Sequence, residues 1–123
     1  MGSLRTQENE GVLVVSFTDS KILDEAKIQK IGSELIAAAD TAAAAEKKMV
    51  LNFTGVDFMS SAMIGKLVLL NKKCKMDSVD LKLSDICGNV QEVFKIMKLN
   101  KVFDIYKTED KALKAFSKKG WFG

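Results

Sequence analysis

Two adjacent serines, Ser60 and Ser61, are the residues whose type and position best suit chemistry. The apolar run 49–53 breaks at Thr54, a second short run covers 56–59, and a helical pattern starts directly after the serines. The hydroxyls are therefore expected at a strand-to-helix corner, where backbone N–H groups lack intrahelical partners and the helix dipole has its positive end. Serine is also a favoured N-cap residue. A cap accounts for only one of the two serines.

The composition argues against an enzyme at this corner. The sequence has no histidine, so a serine nucleophile would lack its usual general base, and zinc would lack its commonest nitrogen ligand. The local run Phe-Met-Ser-Ser-Ala-Met is not the Gly-x-Ser-x-Gly elbow of hydrolases, and there is no phosphate-binding P-loop string. A phosphorylated-aspartate receiver is also a poor match, because Asp19 and Asp24 are not paired and Asp57 lies beyond the break. We expect no enzymatic activity, no cofactor and no metal.

The totals predict one small cytoplasmic domain. The chain has 123 residues, enough for a single core. No apolar run approaches the roughly 18 residues of a membrane span, and the N-terminus has no secretory apolar region. A net charge of +3 with scattered basic residues does not indicate nucleic-acid binding. Cys74 and Cys87 are expected to be reduced, partly buried thiols.

Apolar patterns predict an α/β fold with the element order β-β-α-β-α-β-α-β-α. Alternation of strands and helices predicts parallel strands joined by right-handed crossovers, and an opening hairpin makes the sheet mixed. The domain is expected to span residues 1–123, with a flexible tail at 118–123. Strands are predicted at 3–6, 12–17, 49–53, 79–84 and 102–106. About four helices are predicted, with Asp24, Asn89 and Thr108 as N-caps of the first, third and fourth.

Three local expectations can be tested directly by a structure. Strict alternation in 79–84 predicts a strand with one solvated face. Gly32 lies inside a helical pattern, which predicts that something packs close to it. Met63 is expected to lie exposed beside the serines.

The string Val56-Asp-Phe-Met-Ser-Ser-Ala-Met-Ile-Gly65 resembles the signature of STAS domains, the family of bacterial anti-sigma factor antagonists. A second stretch, Gly88 to Tyr106, is similar to the family's later helix and its Leu-x-x-Val-Phe-x-Ile-Tyr block. The resemblance covers nearly the whole chain in the right order. It implies a STAS-like fold and a protein-binding module that regulates transcription.

The resemblance also implies a switch. Such proteins bind an anti-sigma factor that is often a serine kinase, and they release it when the signature serine is phosphorylated. That serine falls on Ser61, with Ser60 as second choice, and a serine phosphatase is a further expected partner. The implied partner-binding residues are Asp57, Met59, Ser60, Ser61, Ala62, Met63, Gly65 and Lys66.

Three positions depart from the family pattern. Ser60 replaces an aspartate, Ala62 a small polar residue, and Met63 a glycine. These departures motivate an alternative, in which the domain is a scaffold or ligand-binding subunit of a larger signalling or transport complex and is not phosphorylated. Four lysines on the same helix, Lys66, Lys72, Lys73 and Lys75, are expected to form a solvated face.

Overall fold

The computed structural model describes the backbone of residues 3–122 and the side chains of residues 3–116. The described residues form seven strands and four helices. In chain order these are β1 (Leu4–Asn9), β2 (Val12–Phe17), β3 (Lys21–Ile22), α1 (Glu25–Ala43), β4 (Lys48–Asn52), β5 (Phe58–Met59), α2 (Ser61–Met76), β6 (Asp80–Ser84), α3 (Gly88–Ile96), β7 (Asp104–Tyr106) and α4 (Glu109–Phe122).

The main sheet has five strands in the order β1-β2-β4-β6-β7. Only β1 is antiparallel to its neighbour, so the predicted mixed sheet with an opening hairpin is confirmed. The hairpin turns at Glu10 and Gly11, whose φ angles of 53° and 82° suit a tight two-residue turn. The first strand is longer than predicted and continues to Asn9.

A second, two-stranded sheet pairs β3 with β5 in parallel. The sequence predicted only a connector at 18–23, because a strand of two residues leaves no detectable alternation. This small sheet lies beside the serine corner.

Helices cover both faces of the main sheet. The larger apolar cluster joins α1, α2 and α3 to one face through residues such as Leu35, Leu67 and Phe94, each at most 1% exposed. The smaller cluster joins α4 to the other face through Ala112 and Phe116.

The predicted solvated face of the strand at 79–84 is wrong. Lys82 and Ser84 point to that side, yet they are only 1% and 0% exposed, because α4 covers them. The Lys82 ammonium lies 4.7 Å from the centre of the Phe116 ring. It donates to Asp104 Oδ2 at 2.7 Å and to Asp80 Oδ1 at 3.3 Å. A lysine can be buried here because its charge is paired.

Two of the three predicted helix caps are confirmed. Asp24 Oδ2 accepts a hydrogen bond from the Lys27 backbone N–H at 3.1 Å, and Thr108 Oγ1 accepts one from Lys111 at 3.2 Å. The cap predicted at Asn89 is wrong: the extended backbone residue before α3 is Cys87, which forms no side-chain cap bond.

Helix α4 continues to Phe122. The side chains from residue 117 onwards, and Gly123 entirely, lie outside the described residues, so the flexible tail at 118–123 stays a prediction. Within the part of the chain that the structure describes, no helix combines the length and apolar character needed to cross a membrane.

Candidate functional site

The serine corner is the connection from β4 to α2. After Asn52 the chain turns through Gly55, whose φ of 84° suits glycine, and then forms β5. The backbone N–H groups of Asp57 and Phe58 both donate to the Ser20 carbonyl, at 2.7 and 3.1 Å. The corner is therefore held in place by the segment around β3.

Ser60 is the N-cap of α2. Its φ and ψ of −73° and 160° are extended, and its Oγ accepts a hydrogen bond from the Met63 backbone N–H at 3.2 Å. Its own backbone N–H donates to the Ile22 carbonyl at 3.1 Å. Ser60 is thus the N-cap that the sequence predicted one of the two serines to be.

Ser61 is the first residue of α2 and is exposed. Among the described side chains, none forms a hydrogen bond with its hydroxyl. The next residue, Ala62, is also exposed. The corner therefore presents one free hydroxyl at the N-terminus of a 16-residue helix whose first turn has no acidic residue.

Two methionines predicted to contact a partner are buried instead. Met63 is 0% exposed and Met59 is 4% exposed, and both belong to the main core. The expectation of an exposed Met63 is wrong because the cap at Ser60 sets a helical phase that turns position 63 towards Leu67 and the core. The Met63 side chain, at a position where the family pattern has glycine, therefore adds volume to the core and not to the surface.

The exposed apolar side chains at this corner are Phe58 and Leu23, at 45% and 56% exposure. Lys21 Nζ lies 5.7 Å from the centre of the Phe58 ring. The sequence contained a signal for Phe58, since a strand with Met59 buried turns its neighbour outwards. Leu23 carried no such signal, because the strand before it was not predicted.

The remaining predicted residues lie on both sides of the serines. Asp57 is exposed, and Gly65 and Lys66 are half-buried. The Lys66 side chain crosses α1 at Gly32, where a Cβ atom would meet Lys66 Cδ at 3.1 Å. This contact confirms the expected close packing at Gly32. Lys66 and Ser61 line one shallow depression between α1 and α2.

The other lysines of α2 show two environments. Lys73 Nζ bonds Asp40 at 2.8 Å and Asp77 at 3.0 Å, and these bonds raise the pKa of Lys73. Lys72 and Lys75 are exposed, as expected for a solvated face. In the described residues, no three metal-ligating side chains of histidine, cysteine, aspartate or glutamate come together.

A hydrogen-bonded link connects the corner to α4. The Thr54 backbone N–H donates to Asn52 Oδ1 at 2.7 Å, and Asn52 Nδ2 donates to Glu109 Oε1 at 2.8 Å. Asn52 is only 9% exposed. Sequence reasoning missed this link because it joins residues 57 positions apart.

Comparison with known proteins decides the family. A family model described as STAS domain matches residues 3–112. The chain belongs to the STAS domain family. The resemblance in the sequence and the predicted STAS-like α/β fold are therefore confirmed.

Three relatives place this STAS domain among known proteins. BtrV of Bordetella bronchiseptica, described as a candidate anti-sigma factor antagonist, is 26% identical over 95 residues, which is 77% of this chain and 79% of BtrV. The structure of an anti-sigma-factor antagonist (STAS) domain protein from Planctomyces limnophilus is 26% identical, with a TM-score of 0.79, covering 93% of this chain and 97% of that one. The phosphorylated form of the Bacillus cell fate determinant SpoIIAA shares the fold, with a TM-score of 0.66 at 16% identity, covering 92% and 98%.

Proposed function

We propose that this chain is an anti-sigma factor antagonist. It binds an anti-sigma factor that is also a serine kinase, and phosphorylation of Ser61 by that kinase ends the binding. Sigma-factor-dependent transcription in the cytoplasm is thereby regulated, and a serine phosphatase restores the binding form. The observation that carries the proposal is the exposed hydroxyl of Ser61 beside a second serine that already serves as the cap.

The position of Ser61 suits a phosphate. Phosphorylation adds about −1.5 to −2 charges, and a helix N-terminus accommodates an anion. The first turn of α2 holds no acidic residue that would repel it. Since Ser60 keeps its cap bond, modification of Ser61 leaves the helix start intact.

The same phosphate disfavours a partner on this surface. Phe58, Leu23 and Ala62 are exposed around the corner, so a partner that covers Ser61 also covers apolar side chains. A phosphate covered by a partner there would lose much of its hydration, which costs free energy unless the partner supplies matching hydrogen bonds and charge. The switch therefore acts on the interface and leaves the fold unchanged.

The relatives support the partner class. BtrV is described as a candidate anti-sigma factor antagonist and the Planctomyces limnophilus protein as an anti-sigma-factor antagonist (STAS) domain protein, at 26% identity each. The phosphorylated SpoIIAA structure supports the fold alone, because its identity is 16%.

A kinase assay followed by mass spectrometry tests the proposal. The chain is incubated with ATP and each anti-sigma factor kinase of its native cell, and the modified residue is mapped. We expect modification at Ser61, its loss in Ser61→Ala, and its retention in the matched variant Ser60→Ala. Modification at another residue, or none with any candidate kinase, rules out the Ser61 switch.

A binding assay tests the consequence. Ser61→Asp is expected to weaken binding of the anti-sigma factor by at least about tenfold, because it places a charge in a largely apolar interface. Ser61→Ala should bind like the unmodified protein. Recovery of a transporter or scaffold complex from the native cell, with no kinase-like anti-sigma factor, would instead favour the scaffold role.

A further inference from the structure

The free edge of the main sheet at β1 is a second surface, separated in the sheet order by β2 from β4, the strand that leads into the serine corner. β1 pairs with β2 on one side, and no strand of the described residues 3–122 lies on the other. The side chains of residues 5–8 are all exposed. An open edge of six residues is a template for pairing with another strand.

The hairpin fixes which backbone groups of β1 face outwards. In a two-residue hairpin the flanking pair, here Asn9 and Val12, exchanges both hydrogen bonds, and the bonding alternates along the strand from there. The bond from Thr18 N–H to the Ser3 carbonyl, at 3.1 Å, agrees with this phase. The N–H and C=O groups of the odd-numbered residues therefore face β2. Those of Leu4, Thr6 and Glu8 face away from it.

These outward groups are accessible. In the described part of the chain, no other backbone segment donates to or accepts from them. The register of β1 with β2 is continuous from Leu4 to Asn9, without a bulge. The strand contains no proline and no lysine, two of the residues that commonly protect sheet edges.

The strand is complementary to itself. We propose that β1 pairs antiparallel with β1 of a second copy of this chain, about a two-fold axis at Thr6. In that register Leu4 lies opposite Glu8 of the second copy, and Thr6 lies opposite Thr6. The outward-facing backbone N–H and C=O groups of one copy can then hydrogen-bond those of the other. Arg5 lies opposite Gln7. No like charges face each other, and threonine pairs stabilise antiparallel strands.

Other registers with outward groups paired are poorer. A shift by two residues towards the N-terminus sets Arg5 opposite Arg5, which is repulsive. A shift by two residues the other way removes Leu4 from pairing within the strand. The register centred on Thr6 pairs all three outward-facing residues within the strand, namely Leu4, Thr6 and Glu8, and leaves only Asn9 without a partner in β1.

The dimer is expected to be weak. Edge pairing of one short strand buries far less than the roughly 1,200 Å² of a standard interface. We take a dissociation constant on the order of 100 µM as the scale to test for so small a contact. The inference is independent of the proposed function, because it uses neither Ser61 nor its surroundings.

Sedimentation equilibrium between about 10 and about 1,000 µM tests the pairing, with hydrogen exchange measured at both ends of the range. We expect a monomer–dimer equilibrium. Amide protection of Thr6 and Glu8 should rise with concentration, whereas that of Gln7, which already faces β2, should stay constant.

Three variants at one position make the test specific. Thr6→Pro removes an outward N–H that the β1–β2 ladder does not use, so the fold is retained and dimerisation weakens more than tenfold. Thr6→Lys keeps the N–H but sets two lysines opposite each other at the axis, and also weakens the dimer. Thr6→Val, the control, preserves it.

Two results overturn the inference. One is a wild-type protein that stays monomeric over the whole range. The other is self-association that Thr6→Pro and Thr6→Lys both leave unchanged.

Discussion

The two faces of the main sheet bury different kinds of side chain. The face covered by α1, α2 and α3 is buried by side chains that are almost all apolar. The face covered by α4 combines a small apolar cluster with the buried polar residues Lys82, Asn52 and Ser84. One face is stabilised mainly by removing apolar area from water, and the other also depends on the hydrogen bonds of Lys82 and Asn52.

The first prediction compares equal truncations on the two faces. Leu67→Ala, on the α2 side, should lower the free energy of unfolding by about 2–5 kcal/mol, because Leu67 is 0% exposed in the main core. Leu113→Ala, on α4, should cost only about 1 kcal/mol, because Leu113 is half-buried. Urea unfolding measures both. Equal losses would show that Leu113 is packed as tightly under α4 as Leu67 is in the main core.

The second prediction concerns the buried lysine. Lys82→Ala should cost about 2–3 kcal/mol, since it removes the bonds to Asp104 and Asp80 and the stem that lies against Phe116. Lys82→Met keeps the apolar stem and should cost less than about 1 kcal/mol. The same unfolding assay separates them. If both variants lose the same amount, the charge pairs and not the packing hold this face.

The third prediction concerns the helix start that supports the apolar face. Ser60→Ala should lower stability by about 1 kcal/mol, because it removes the hydroxyl that caps α2. The neighbouring control Ser61→Ala should change stability by less than about 0.5 kcal/mol, as its hydroxyl is exposed. Thermal unfolding of the two variants checks this, and a reversed order would show that Ser61 is the cap.

The fourth prediction is a pH dependence on the α4 face. Burial lowers the pKa of Lys82, but the bond to Asp104 and the charges of Asp80, Asp104 and Tyr106 outweigh it, so this pKa lies above the ordinary 10.5. A raised pKa means that the paired ammonium stabilises the fold below pH 10.5, and that this stabilisation is lost as the pH rises through the folded-state value.

Unfolding measured at about pH 9 and about pH 11.5 reveals the effect, with Lys82→Met as reference. Wild type should lose more stability over this interval than the variant does. Parallel losses would show that Lys82 makes no contribution in this range.

The fifth prediction uses the thiols as probes and expects no change in stability. Burial raises the pKa of the Cys74 thiol to about 11, with the charge of Asp77 adding to the shift and Lys73 opposing it. Cys74 should therefore react very slowly with a thiol reagent at pH 8 in the folded protein. Cys87 is half-buried and should react faster, and both should react in urea. Fast labelling of both thiols in the native protein would show that the main core opens readily.

The main sheet could be predicted from sequence because its central strands are apolar runs. Residues 12–17 and 49–53 are predicted as strands because they are almost continuously apolar. The caps at Asp24 and Thr108 are predicted because these side chains are favoured N-caps and directly precede helical patterns. The α4 face could not be predicted in the same way. Lys82 and Ser84 resemble surface residues in the sequence. The distant Phe116 and Asp104 explain why Lys82 is buried, and the packing of α4 on β6 covers Ser84.

The candidate site shows the same limit. The free hydroxyl and the cap were predicted from two adjacent serines, although only hydrogen bonding assigns the cap to Ser60. The apolar surroundings were assigned to Met59 and Met63, which are buried, instead of to Phe58 and Leu23. That choice depends on the pairing of β3 with β5, a contact between two very short strands far apart in the chain.

The side-chain amide of Asn52 forms hydrogen bonds to both the serine corner and helix α4. If the corner segment moves away from the sheet, the hydrogen bond from the Thr54 backbone N–H to Asn52 Oδ1 must break. The nearly buried amide oxygen of Asn52 then has no donor. The same side chain holds Glu109 at the first residue of α4. One nearly buried side chain therefore bonds both the start of the corner segment and the first residue of α4, so that displacing either segment costs a hydrogen bond of the same amide.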